Sequence, residues 1–256
     1  MFHDVAIWLI FSAFALSVGS FLNVVIYRIP HNILYPDVPL TLAWPRSHCP
    51  HCKIPLRLQD NLPLFGWLLL RGRCYHCKHT ISVRYPATEL LTLLCSLLLT
   101  MLLPWDLTLG AALLLCWMLL ALSIIDIQHQ LLPDALTLPL LWSGLLLKVF
   151  DIIPGSLDDA ILGAATGYLM LWLLAILYRH WRSIDALGMG DAKLLAAFGA
   201  WLGWQALPTL LMLAAAGGIV VTLTIYLLKG RDLRQPAPFG PFLSIAGAGL
   251  CIAALI

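Results

Sequence analysis

Residues 109–125 read LGAALLLCWMLLALSII, and this charge-free run ends at Asp126. As a helix it would be about 26 Å long, close to the thickness of the hydrocarbon core of a bilayer. Runs of the same kind recur at 5–29, 88–103, 135–150, 160–178, 192–204, 207–228 and 239–256, which makes eight candidate spans in all. The run at 192–204 is short enough to be tilted, kinked or partly re-entrant. The whole chain agrees with the run: of 256 residues 61% are hydrophobic and 11% charged, with a mean hydropathy of +0.90. Soluble domains are about 45–50% apolar and about 25% charged. A water-soluble globule cannot hide this much apolar surface, so a cytosolic enzyme, a disordered chain and a secreted disulfide scaffold are excluded. The formal charge of +2 gives no argument for nucleic acid, and membrane lipid is the expected surrounding. No small-residue cleavage site follows the first run, which therefore reads as a retained helix.

One stretch breaks the pattern. Between 30 and 86 lie Pro30, Pro36, Pro39, Pro45, Pro50, Pro55, Pro63 and Pro86, four clustered cysteines and nearly half of the Lys and Arg. The expected organisation is a first transmembrane helix at 1–29, a small polar domain at 30–86 and a membrane domain of about seven helices at 87–256. The charges orient it. With the amino terminus outside and every run crossing, all of the 15 Lys and Arg except Lys148 fall on the inner side. Asp106, Asp151, Asp158 and Asp159 fall in the outer loops. This basic bias supports eight crossings, and seven would put the basic loop at 229–238 on the wrong side.

The cysteines then have a compartment. Cys49-Pro-His-Cys52 and Cys74-Tyr-His-Cys77 are two C-x-x-C turns with residues 53–73 between them. Four thiolates complete the tetrahedron that structural zinc prefers, and two disulfides would not persist in a reducing cytoplasm. One zinc per chain is expected, holding a fold and leaving no open position for water. His48, His51, His76 and His79 flank the sulfurs and are alternative ligands, while Cys95, Cys116 and Cys251 read as apolar packing residues.

The aspartates carry the chemistry. Asp126 ends one run and Asp191 opens another in Gly188-Met-Gly190-Asp191-Ala-Lys193, and the topology puts both at the cytoplasmic boundary. Two carboxylates in a poorly hydrated site cannot easily both ionise, so one keeps a proton while the other activates a water. Gly188 and Gly190 let a backbone approach Asp191 closely. Blander readings stand beside this one. Asp191 is also a candidate helix cap, as Asp134 is more clearly, and Asp126 is also a candidate partner of His129 or Arg182. Glu89 reads as a first-turn carboxylate after Pro86. Lys193 either favours ionised Asp191 or reaches toward lipid headgroups. A proton-coupled transporter with a zinc-stapled loop would use membrane aspartates too.

A longer set of motifs discriminates among these readings. Gly19-Ser-Phe-Leu-Asn-Val-Val-Ile-Tyr-Arg28, the two cysteine turns, Arg84-Tyr-Pro-Ala-Thr-Glu89 and Asp126 through Leu131-Leu-Pro-Asp134 run in order along the chain. Leu138-Pro-Leu-Leu-Trp142, Gly188-Met-Gly-Asp-Ala-Lys193 and Phe239-Gly-Pro-Phe242 complete the series. The ordered set resembles the type IV prepilin peptidase family over essentially the whole chain. The resemblance implies an all-α polytopic membrane aspartyl peptidase with Asp126 and Asp191 as the catalytic pair. It also implies a multi-pass protein of the bacterial inner membrane that cuts prepilins or type II secretion pseudopilins at the cytoplasmic face. Methylation of the new amino terminus, commonly Phe, with S-adenosylmethionine is implied next, and a peptidase without methyl transfer is the alternative. Gly72 and Arg73 match a Gly-Lys pair associated with methyl transfer in that family, with Arg standing in place of Lys.

Overall fold

The computed structural model describes residues 2–182, 188–229 and 238–256. Two of the expected basic loops therefore fall partly outside the described residues, with Arg231, Arg234 and the side chains of Arg182 and Lys229. Helices are the only extended regular elements among the described residues, and the chain divides into two compact units, Met1–Met101 and Leu102–Ile256.

The first unit holds α1 (Phe2–Leu34), the short α2 (Phe65–Leu69) and α3 (Arg84–Leu102) up to the unit boundary. Its polar loops are tied down by side chains at the end of α1. Arg28 is buried and donates to the carbonyls of Thr41 at 2.6 Å and Pro45 at 2.5 Å. Asn32 pairs with both backbone groups of Leu40, at 2.7 and 2.8 Å. Each contact satisfies a loop carbonyl or amide that has no ladder partner.

The second unit is a helical bundle: α4 (Leu107–His129), α5 (Asp134–Val149), α6 (Leu157–Arg182), α7 (Met189–Leu202), α8 (Leu207–Lys229) and α9 (Gly240–Leu255). Asp106 caps α4 by accepting from the amides of Thr108 at 2.8 Å and Leu109 at 3.3 Å. Gln130, left-handed at φ 54°, ends that helix and turns the chain toward Pro133, after which α5 starts.

At the centre lies α7, packed by α5, α6 and α9. Leu194, Leu195, Ala197 and Phe198 are fully buried with Leu122, Leu140, Leu210 and Leu243 from four neighbouring helices. Close approach needs small residues. A Cβ on Gly167 of α6 would lie 2.8 Å from the Leu195 carbonyl, so the α6 and α7 backbones touch there. Trp201 closes the lower part by donating its indole N–H to the Leu140 carbonyl at 2.9 Å. Helix α7 is encased rather than lipid-facing.

Among the described residues five helices are long and apolar enough to cross a membrane: Val5–Leu34, Arg84–Leu102, Leu107–His129, Leu157–Trp181 and Trp204–Leu228. All eight expected runs form helices, but α5, α7 and α9 have 16, 14 and 16 residues, short of the usual spanning length of about 20. The described residues thus form an all-helical membrane protein with five candidate spans and three shorter helices. Lys148, the exception to the charge bias, is buried near the end of α5 and donates to the Pro154 carbonyl, which satisfies its ammonium locally.

Candidate functional site

Three chain segments of the second unit converge around Asp126. The last turns of α4 carry Asp126, which is only 6% exposed. Its Oδ2 accepts a hydrogen bond from the Gly240 amide at 2.9 Å, at the first turn of α9. Asp191 sits on the first turn of α7, whose Gly190 packs on the same Leu132 side chain as Gly240. Between these elements Leu132 forms a wedge. A Cβ on Gly190 would lie 2.7 Å from the Leu132 Cβ, and one on Gly240 would lie 3.1 Å from its Cδ2. The added carbon on Gly240 would also come within 2.8 Å of Asp126 Oδ2. The site is built where a side chain larger than hydrogen does not fit.

Several local readings are corrected here. Asp134 does not cap α5: Pro133 is the cap residue, and Asp134 accepts a hydrogen bond from Lys193 Nζ at 2.5 Å. Lys193 therefore pairs across helices with Asp134, neither reaching for lipid nor facing Asp191. Asp191 is not a cap either, since Gly188 occupies that position. A Cβ on Gly188 would lie 3.4 Å from Asp191 Oδ2, so this glycine stands beside the carboxylate. Asp126 is held by the Gly240 amide; of its two candidate partners, His129 and Arg182, the Arg182 side chain lies outside the described residues. Gly240 was given no role by local reasoning, although it stands in the Phe239-Gly-Pro-Phe242 motif.

In the first unit the four cysteines meet. The sulfurs of Cys49, Cys52, Cys74 and Cys77 all lie within 4.8 Å of one another. The two turns are built alike. Lys53 and Lys78 donate to the carbonyls of Cys49 and Cys74, and both adopt positive φ, 61° and 58°. Cys49–Cys77 and Cys52–Cys74 sulfur distances are 3.8 and 3.9 Å. A tetrahedral ion with metal–sulfur bonds of about 2.3 Å requires about 3.8 Å between sulfurs, so the donor set fits a metal ion. The Cys77 amide draws the Cys74 thiol down to about 7. Although the His79 amide favours its thiolate, burial and the adjacent sulfurs push Cys77 up to about 11. Sulfurs this crowded do not all ionise until a cation joins them. The rings of His51 and His79 stack at 4.4 Å instead of joining the cluster.

Glu89 is not in the first turn of its helix. It is 7% exposed, accepts from the Leu64 amide at 2.8 Å and is hydrogen-bonded by the Ser20 side chain. Gly72 is buried at φ +67°, and Arg73 is exposed.

The chain is similar to known proteins over most of its length. The Bacterial Peptidase A24 N-terminal domain matches residues 13–103, and the Type IV leader peptidase family matches residues 113–223. The chain is 47% identical to a prepilin leader peptidase/N-methyltransferase of Aeromonas hydrophila, over 94% of this chain and 89% of that one. It is 48% identical to the protein of that name from Pectobacterium carotovorum, over 91% and 88% of the two chains. The Pseudomonas aeruginosa protein of the same name is 41% identical, over 96% and 90%. No solved structure gives a significant match.

Proposed function

The chain belongs to the type IV leader peptidase family, and on that premise we propose that it cuts the leader from type IV prepilins or type II secretion pseudopilins and methylates the new amino terminus. The observation that supports the peptidase half is the convergence on Leu132 and Gly240 of three helix ends, two of them bearing Asp126 and Asp191. The two aspartates act as a dyad sharing one proton. The ionised carboxylate takes a proton from water as the water oxygen bonds the scissile carbonyl carbon, and its partner protonates the carbonyl oxygen. Collapse restores the carbonyl, breaks the C–N bond and passes a proton to the leaving nitrogen. Gly188 and Gly190 leave room beside Asp191 for the substrate strand. The Lys193–Asp134 pair ties the start of α7 to the start of α5.

Gly240→Ala tests the support of Asp126. The added methyl displaces the carboxylate, and misplacement of about 1 Å can cost about a hundredfold. Cleavage by this variant should fall at least tenfold with normal protein levels, read by the ratio of mature to precursor pilin. Unchanged cleavage would remove Gly240 from the site.

S-adenosylmethionine is the donor that the name N-methyltransferase implies: it supplies a methyl carbon to the amine lone pair, the C–S electron pair stays on sulfur, and the nitrogen loses a proton. Four cysteine ligands favour zinc as the structural ion. All eight apolar helices cross a bacterial inner membrane, the short ones helped by local thinning, and the dyad lies at the cytoplasmic side. The domains are then 1–29, 30–86 and 87–256. A cysteine introduced at Asp158 should react with an impermeant thiol reagent added outside, and one at Leu58 should not. Labelling at 58 in intact cells would reverse the topology.

The decisive experiment is co-expression with a pilin and mass spectrometry of its amino terminus. A shortened, methylated terminus is the expected product, and a shortened unmethylated one would leave a peptidase alone. An intact leader would defeat the proposal and favour a transporter.

A further inference from the structure

Among the described residues of the first unit is a partly open cavity of about 220 Å³. A volume of that order suits a small ligand, and the lining names the kind. Its walls include Glu89, Asp60, Asn23, Asn61, Trp67 and Tyr85. The charge of this wall is unbalanced. Glu89 is nearly buried, and its donors are the Leu64 amide and the Ser20 side chain, both neutral. No ion pair reaches it among the described residues. Arg28 also lines the cavity, but its guanidinium is committed to the carbonyls of Thr41, Leu42 and Pro45. A buried carboxylate without a cation is costly, and a cationic ligand removes that cost.

The rest of the wall suits a nucleoside. Trp67 is held by donation from its Nε1 to the Ile81 carbonyl at 3.2 Å, which fixes an aromatic surface in the cavity. Behind it Gly72 has no side chain for a reason: a Cβ there would lie 2.7 Å from Trp67 Cζ2. Asn23 and Asn61 add amides able to read a purine edge. Cys49 and Cys74 stand in the same wall, so the metal centre braces it. A second cavity, along α8 and α9, is lined by Phe239, Phe242, Ile219 and Leu223 and has no charged side chain.

We propose that the cavity enclosed by Glu89, Asp60, Asn23, Asn61 and Trp67 is the binding site for the methyl donor, a nucleoside bearing a sulfonium cation. The carboxylates complement the cation, Trp67 supports the base, and Gly72 acts indirectly by letting Trp67 hold its place. This assignment rests on the reading of the chain as a methyltransferase.

The test uses the full-length protein in detergent with radiolabelled S-adenosylmethionine and equilibrium dialysis. Wild type should bind about one equivalent. Glu89→Gln, which keeps an acceptor for the Leu64 amide but loses the charge, should bind at least tenfold more weakly, with an unliganded melting temperature no lower than that of wild type. Trp67→Ala should weaken binding in the same direction. Ultraviolet cross-linking of the donor to wild type keeps the test independent of how the variants fold, and label should fall in peptides from 20–28 or 60–89. Wild-type binding that both variants retain, or label confined to 102–256, would overturn the location and leave the methyltransferase reading intact. A wild type that binds no donor and leaves cleaved pilin unmethylated would overturn both.

Discussion

Asn in place of either Asp126 or Asp191 should lower leader cleavage by about a thousandfold, within the range that positioned acid–base groups contribute. Asn keeps the size and a hydrogen-bond acceptor for the Gly240 amide, so protein level and helix packing should change little. What disappears is the shared proton. Because the two act as one unit, the double variant should be scarcely slower than either single one. Methylation of a pilin supplied already cleaved should persist in both, since transfer to an amine needs no activated water. Asp134→Asn is the control. Its carboxylate is more than half exposed in its pair with Lys193, where such contacts contribute at most about 1 kcal/mol. Full cleavage by a well-folded Asp191→Asn protein would end the dyad mechanism.

The contrast between those positions shows what the sequence makes legible. Hydropathy marks the eight helices because each run carries its own burial requirement, and a run can be read without knowing its neighbours. The cysteine turns are equally local: two ligands two residues apart must meet, and two such turns have few ways to be satisfied. Asp126 and Asp191 were legible as costly charges at apolar ends. Their partners were not. Gly240 reaches Asp126 across 114 positions, and Lys193 reaches Asp134 across 59. Local rules for Asp134 and Glu89 returned helix-end roles, because capping and dipole preferences see only neighbouring residues. In the structure tertiary partners claim both side chains, Lys193 for one and the Leu64 amide for the other. The short length of α7 had a similar origin. A helix surrounded by other helices needs no lipid-matched length, and Phe198 and Leu194 are buried by protein on every side.

Replacing Cys77 by Ser should release the metal ion and unfold the loops it staples. Between α1 and α3 the only helix is five residues long, and isolated β-bridges at His48–Pro55 and Arg73–Thr80 are its remaining regular pairings among the described residues. So little secondary structure cannot hold a fold without a staple, and in small zinc domains the binding free energy, about 10–16 kcal/mol in peptides, is the folding free energy. Wild-type protein purified without chelator should contain about one zinc per chain by elemental analysis, and Cys77→Ser should contain almost none. Hydrogen exchange should then quicken across 47–82 while 102–256 keeps its protection as the internal control. Adding a strong chelator to wild type should reproduce the pattern. Serine offers a poor, protonated oxygen where a thiolate stood, so three remaining sulfurs are left crowded without the full charge balance. Wild-type protein with intact cysteines and no bound metal, or a Cys77→Ser variant with full zinc and unchanged exchange, would show that the loops are held by something else.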